Sequence, residues 1–194
     1  MSSSFQETTL DNGLRIVAET SSSAVSAAIG FFVKTGARDE VASLMGVSHF
    51  LEHMMFKGTD AYGKGVIDQL TAKMGGSNNA FTDNDVTAYY FSLAADRWET
   101  ALEIEASRMV NCLLDEAEFT SEKSVVLEEL AMGEDDPWQS LYQHVENLLF
   151  QVHPYHHPVI GWKEDLHQLS VDTMRSYYQR HYGPDRAFLV AVGN

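Results

Sequence analysis

The chain has 194 residues, of which 44% are hydrophobic, enough to bury one good-sized core. Thirteen basic residues against twenty-eight acidic ones give a net charge of −15. This charge argues against nucleic acid or an anionic membrane as a partner and favours basic peptides. Acidity that only keeps the protein soluble explains the charge as well. The sequence predicts no membrane span and no exported leader, and its single cysteine, Cys112, excludes an intrachain disulfide and fits a reducing compartment such as the bacterial cytoplasm.

The first part of the chain has the pattern of β-strands joined by short turns. Asp11-Asn12-Gly13 is a strong hairpin signal between strands predicted over residues 5–10 and 14–19. A third, well-buried strand is predicted over residues 25–34, after a serine-rich turn.

A helix is predicted next, because apolar residues recur at steps of three and four from Leu44 to Met55, and Gly58 stands where a helix would end. A second helix is predicted over residues 65–74 and is stopped by Gly75-Gly76. Two strands then follow, predicted over residues 77–81 and 86–93.

The rest of the chain is mainly helical. Asp96 and Glu99 have the spacing of a capping box, which predicts a helix that begins there and reaches about residue 111. The later predicted elements are an acidic helix over about residues 118–132, helices over 138–150 and 171–182, and a strand over 186–192. Early strands, central helices and a final strand predict an α+β fold, in which a layer of helices covers a mostly antiparallel or mixed sheet.

The run His49-Phe50-Leu51-Glu52-His53 has the composition of a metal site. In a helix, the two imidazoles lie about a turn apart on one face, with Glu52 beside them. Zinc-dependent hydrolysis needs neutral imidazoles, a third protein ligand and a carboxylate that accepts a proton from water, and H-x-x-E-H is the inverzincin signature. The alternative is a pair of core histidines bonded to backbone carbonyls, which is disfavoured because buried ionisable groups need partners.

The acidic helix offers three candidates for the third ligand: Glu122, Glu128 and Glu129. Glu122 and Glu129 are seven residues apart and share a helix face, whereas Glu128 is turned by about 100° from Glu129. A solvated acidic face has the same pattern, so the spacing by itself leaves the third ligand open.

A second cluster of histidines, His153, His156 and His157, invites a second metal site. Two prolines and the lack of an acidic residue in the segment favour a structural loop instead. Cys112, in an apolar setting at a predicted helix end, is interpreted as a core residue and not as a nucleophile.

Six segments together match one family: residues 10–17, 35–40, 46–59, 75–82, 125–130 and 182–186. On these segments the chain resembles the N-terminal domain of the pitrilysin family of zinc peptidases, closest to the bacterial relatives of the mitochondrial processing peptidase β subunit. The resemblance implies a metalloendopeptidase that holds one Zn²⁺ per chain and cleaves extended or unfolded peptides.

The resemblance also implies roles for individual residues. His49, His53 and Glu129 are the expected zinc ligands, Glu52 is the expected general base, and Glu122 corresponds to the family's supporting acidic residue. The interval of 76 residues from His53 to Glu129 fits the processing-peptidase branch and selects Glu129 over its neighbour.

Asn79, Ala80 and Phe81 resemble the family's edge strand, which binds substrate by accepting it as an additional strand. Without the family, these residues are one strand of a hairpin. Residues 1–194 are expected to form the N-terminal domain, cut before its closing helix and before a second homologous domain. That domain, or a partner subunit, is expected to complete the enzyme.

Two other functions are compatible with a zinc motif. One is a zinc-bearing scaffold or partner subunit without peptidase activity, which a test of peptide turnover distinguishes. The other is a non-peptidase zinc enzyme such as S-ribosylhomocysteine lyase, which shares an H-x-x-E-H helix. The flanking segments and the distance to the third ligand favour the peptidases.

Overall fold

Six strands form one mixed sheet in the computed structural model, which describes residues 3–194. The strands are β1 (Ser3–Thr9), β2 (Arg15–Ser21), β3 (Ser26–Val33), β4 (Ser77–Thr82), β5 (Thr87–Ala94) and β6 (Ala187–Gly193). Their spatial order is β1-β2-β6-β3-β5-β4. β2 and β6 pair in parallel, and the other neighbours in this sheet pair antiparallel.

Seven α-helices lie within the described residues: α1 (Val47–Met54), α2 (Val66–Lys73), α3 (Trp98–Asn111), α4 (Glu116–Asp135), α5 (Pro137–Leu149), α6 (Lys163–Gln168) and α7 (Val171–His181). The predicted strands and long helices agree with these elements to within a few residues. The six-residue helix α6 is not among the predictions, because it is too short to show a clear helical period.

The helices cover one face of the sheet. Along β5, Tyr89, Phe91 and Leu93 are buried, whereas Tyr90 and Ser92 between them are exposed. This period of two is that of a strand with one covered face. The predicted α+β architecture, helices packed on a mixed sheet, is confirmed.

The helix that carries the two histidines is shorter than its apolar pattern predicts. α1 begins at Val47, directly after Gly46, whose φ of +91° is left-handed and incompatible with the helix. Leu44 therefore lies outside it, and the helix ends at Met54, four residues before Gly58. Even so, Phe50, Leu51 and Met54 are fully buried, which is the burial that the apolar spacing predicts.

The predicted capping box at Asp96 and Glu99 is wrong. Residues 95–97 form a 3₁₀ turn, and α3 begins at Trp98 with Arg97 as its N-cap and no side-chain capping bond. Asp96 lies inside that turn, with Oδ2 3.5 Å from Nε of Arg97, so its carboxylate is not at the N-cap.

Cys112 has the surroundings expected of a core residue. Cys112 packs against the core, its Sγ is 3.8 Å from the carbonyl oxygen of Met54, and burial raises the pKa of its thiol to about 11. Pro154–His156 form a 3₁₀ turn. Across residues 3–194, no helix has the length and apolarity needed to cross a membrane.

The sheet order puts β4 at an edge, next to α1 and α2. α1 also contacts α4, so it lies between the edge of the sheet and the long acidic helix. The motif helix, the acidic helix and an edge strand thus meet in one place.

Candidate metal centre

The histidines of α1 lie side by side on the face that looks toward α4. Their ring centroids are 4.7 Å apart, and the side chains of His49 and His53 are 14% and 21% exposed. This proximity follows from their spacing of four residues in a helix.

Glu129 of α4 completes a group of three. Its Oε1 is 3.7 Å from Nε2 of His49, and its Oε2 is 3.4 Å from Nε2 of His53. One ligand atom from each residue lies within 4.8 Å of the other two, and this is the only group of three or more His, Cys, Asp or Glu side chains in residues 3–194 that meets this condition. Glu128 is exposed and stands outside the group.

The three side chains fit a zinc ion. Zinc–ligand bonds of 2.0–2.2 Å in tetrahedral geometry separate the ligand atoms by about 3.3–3.6 Å. Each histidine Nε2 lies at a similar distance from one Glu129 oxygen, His49 from Oε1 and His53 from Oε2. Two imidazoles and one carboxylate are a donor set of catalytic zinc sites, in which the fourth position is left for water.

A second carboxylate of α4, that of Glu122, contacts the other ring nitrogen of His53. Nδ1 of His53 donates a hydrogen bond to Oε1 of Glu122 at 3.0 Å, so that in the neutral ring Nε2, on the side of Glu129, is the nitrogen without a proton. The other oxygen of Glu122 forms an ion pair with Nζ of Lys57. Glu122 therefore contacts the Nδ1 side of the His53 ring, while Glu129 lies on the Nε2 side.

The electrostatics of the two histidines differ. Burial, reinforced by the neighbouring His53, lowers the pKa of His49 to about 4, so that His49 is neutral at physiological pH. Burial also lowers the pKa of His53, but hydrogen bonds to Glu129 and Glu122 outweigh it and raise the pKa overall. The bond to His53 lowers the pKa of Glu129, which favours the ionised carboxylate that a metal needs.

Glu52 contacts the edge of the sheet. Its Oε2 accepts a hydrogen bond from Oγ1 of Thr82, the last residue of β4, at 2.6 Å. Burial raises the pKa of Glu52, and the bond from Thr82 lowers it in part. A carboxylate whose pKa is raised toward neutrality is suited to general base catalysis.

The three residues predicted to bind substrate lie in the middle and end of β4. Along this strand, Ser77, Asn79 and Phe81 are exposed, and Asn78, Ala80 and Thr82 are partly buried. The Ala80 N–H donates to Oδ1 of Asn79 at 2.9 Å. Within the described sheet, β4 pairs with β5 alone, so its other edge has no strand partner.

Two contacts in the site were not found from the sequence. Lys57 lies in the turn that follows α1, three residues after the helix ends at Met54. Thr82 directly follows the predicted edge segment. Neither residue type is distinctive by itself, and only the packing of β4 and α4 against α1 brings these side chains to Glu52 and Glu122.

The chain is similar to known proteins in both sequence and structure. A family model described as insulinase (peptidase family M16) matches residues 15–163. A protein of Bacillus subtilis named as the uncharacterized zinc protease YmxG is 36% identical over 186 residues, which are 96% of this chain and 46% of that protein. The probable mitochondrial-processing peptidase subunit beta of Arabidopsis thaliana is 30% identical over 186 residues, 96% of this chain and 35% of that protein.

Among solved structures, a protease from Helicobacter pylori superposes with a TM-score of 0.95 at 30% identity. The match covers 98% of this chain and 46% of the protease. The chain thus spans about half the length of the relatives that it matches, or less.

Proposed function

Because this chain belongs to the insulinase family of peptidases, M16, we propose that it carries the metal centre of a zinc-dependent endopeptidase that cleaves extended or unfolded peptides. The observation that supports the proposal best is the convergence of His49, His53 and Glu129 beside Glu52. The names of its relatives as zinc proteases support zinc as the metal.

In this proposal His49, His53 and Glu129 hold one zinc ion per chain. When bound, zinc supplies a Lewis acid that polarises the scissile carbonyl and makes the attacking water more acidic. Glu122 fixes the ring of His53 through its 3.0 Å hydrogen bond, and Lys57 holds Glu122 in turn.

Glu52 is the general base. It accepts a proton from the attacking water at a carboxylate oxygen while the water oxygen bonds to the scissile carbonyl carbon. It then delivers that proton to the amide nitrogen as the carbon–nitrogen bond breaks. The raised pKa of Glu52 supports this role, because a carboxylate with a higher pKa is a stronger proton acceptor.

β4 is the proposed substrate platform. An extended peptide adds to its unpaired edge as a further strand, and backbone hydrogen bonds along Asn79, Ala80 and Phe81 bind it with little dependence on sequence. Thr82 connects this strand to Glu52, so a peptide that lies on β4 is next to the base.

The complete enzyme is proposed to contain more than these residues. Since the relatives are about twice as long or more, we propose that residues 1–194 are an N-terminal domain that acts with a second homologous domain or a partner subunit. Action in the bacterial cytoplasm, expected from the single cysteine, belongs to the same proposal.

The proposal is tested by zinc analysis after exhaustive dialysis. We expect about one zinc per unaltered chain, and clearly less in Glu129→Gln, because the neutral amide is a poor zinc ligand. Glu128→Gln is the matched control, since it makes the same change at the adjacent, exposed position and should keep its zinc. A folded chain that takes up no zinc, or equal zinc in both variants, contradicts the proposed centre.

A further inference from the structure

The first turn of α1 is held by a residue outside the motif. Oε2 of Glu40 accepts a hydrogen bond from the Gly46 N–H, and Oε1 accepts one from the Ser48 N–H, both at 2.7 Å. Glu40 is only 8% exposed. The first N–H groups of a helix have no partner inside it, and the two side-chain oxygens of Glu40 accept hydrogen bonds from two of these groups.

The helix cannot supply this cap from its own N-cap position. That position is Gly46, which has no side chain, and a Cβ placed on it would lie 2.3 Å from the carbonyl oxygen of Ile160. Glu40, six residues earlier, therefore does for α1 what Asp115 does for α4, where the capping side chain is at the N-cap itself.

A second element holds the same turn. Oγ of Ser48 and the hydroxyl oxygen of Tyr177 in α7 are 2.7 Å apart. Thr35 Oγ1 lies 3.4 Å from that hydroxyl and 3.1 Å from Nδ1 of His181. Ser48 directly precedes His49, so these contacts act on the backbone that carries the first proposed ligand.

The two proposed histidine ligands differ in how their rings are held. His53 is fixed through Nδ1 by Glu122. Nδ1 of His49 is buried and has no hydrogen-bond partner among the described residues. The position of the His49 ring therefore depends on the backbone of the first turn of α1.

From these contacts we propose that Glu40 is a positioning residue of the metal centre: by binding the Gly46 and Ser48 N–H groups, it sets where His49 stands relative to His53 and Glu129. This inference rests on the proposed function, since it needs a metal at those three residues. Glu40 does not touch the metal or the substrate and acts through the helix backbone alone.

Two variants of Glu40 remove different numbers of its hydrogen-bond acceptors. Glu40→Ala removes both acceptors, and Glu40→Gln keeps one of them in a side chain of the same size. The matched control is Asp136→Ala, because Asp136 caps α5 through the N–H groups of Trp138 and Gln139 at 2.8 and 3.2 Å, and α5 carries none of the proposed site residues.

The measurement is Co²⁺ titration of the folded chain, followed by visible absorption, which reports the ligand geometry without any need for turnover. We expect the Kd for Co²⁺ to rise about tenfold in Glu40→Ala and by less in Glu40→Gln, with a changed absorption spectrum in both, as for the loss of a group that orients a ligand. Asp136→Ala should bind Co²⁺ like the unaltered chain. In the metal-free chain, the Ser48 amide should exchange its hydrogen faster in Glu40→Ala.

An unchanged Kd and spectrum in Glu40→Gln and Glu40→Ala overturns the inference, as does an equal loss in Asp136→Ala, which would show a general effect of destabilisation. If Glu40→Ala does not fold, Glu40→Gln decides. If the unaltered chain does not bind Co²⁺, the proposed function is refuted and the inference fails with it. If the unaltered chain and both Glu40 variants bind Co²⁺ equally well, only the inference about Glu40 fails.

Discussion

Nδ1 of His53 and Oε1 of Glu122 are 3.0 Å apart, although 69 residues separate them in the chain. The bond determines which ring nitrogen of His53 carries the proton and so which one is free to bind a metal. Glu122 itself forms an ion pair with Lys57, and most of the surface of both side chains is shielded from solvent.

Replacing Glu122 by glutamine is expected to weaken zinc binding by about ten- to a hundredfold, because His53 then loses the charged acceptor that orients it and increases its basicity. Lys57→Met should act in the same direction with a smaller effect, since the carboxylate remains. Zinc affinity measured by competition with a chelator tests both. Glu118→Gln is the control on the same helix, where Glu118 pairs with the exposed Lys64. Equal affinities in Glu122→Gln and Glu118→Gln would falsify the supporting role.

Glu52→Gln is expected to keep its zinc and to lose turnover of an unfolded peptide by at least about a hundredfold, because an amide cannot accept the proton from water. The assay uses the enzyme completed by its second half, and zinc content is measured on the same preparation. Retained turnover would exclude Glu52 as the base, and a loss of zinc would show that it has a different role.

Thr82→Val tests the contact between the edge strand and the base. The hydrogen bond from Thr82 lowers the pKa of Glu52 by favouring the carboxylate, so its removal should raise that pKa. The base is then protonated up to a higher pH, and the acidic limb of the pH–rate profile should move toward higher pH. Thr120→Val is the control, since Thr120 bonds only within α4 at an exposed position. If the acidic limb of the Thr82→Val profile stays in place or moves to lower pH, Thr82 does not act on the base Glu52 as proposed.

Ala80→Pro is expected to raise the KM for extended peptides by about tenfold or more while the zinc content stays the same. Proline removes a backbone N–H from the proposed edge and disfavours pairing with an added strand. Far-UV circular dichroism and the melting temperature show whether the strand itself has survived. An unchanged KM in a folded variant would move the substrate away from β4.

The Cys112 thiol is expected to react with iodoacetamide at pH 8 far more slowly in the folded chain than in denaturant. Burial raises its pKa to about 11, so the thiolate fraction at pH 8 is about a thousandth, well below that of an ordinary cysteine. Mass spectrometry of the alkylated chain measures both rates. Equal rates would show that the thiol is not buried, and that its interpretation as a core residue is wrong.

Much of the local structure could be predicted, because it depends on neighbours in sequence. The hairpin at Asp11-Asn12-Gly13 and the shared face of His49 and His53 both follow from backbone geometry over a few residues. The errors are local too. Asp96 and Glu99 have capping-box spacing, but a 3₁₀ turn takes up Asp96, and Gly46 starts α1 three residues after the apolar pattern begins at Leu44.

The third member of the metal group could not be chosen from helical spacing alone. Glu122, Glu128 and Glu129 all lie on one predicted helix, and only the angle at which α4 packs on α1 brings Glu129 to the two imidazoles, Glu122 behind them and Glu128 into solvent. Resemblance to a family pointed to Glu129, since a family pattern carries tertiary information that periodicity lacks.

The pair of histidines with a carboxylate on one helix is encoded locally, because a helix places residues three and four apart on a common face whatever surrounds it. The distant groups that contact α1 depend on the packing of the whole fold: Glu129 and Glu122 from α4, Thr82 from the edge strand, and Glu40 at the start of α1. The reason is that contacts between elements depend on how they pack over the whole core, and no local rule of spacing encodes that packing.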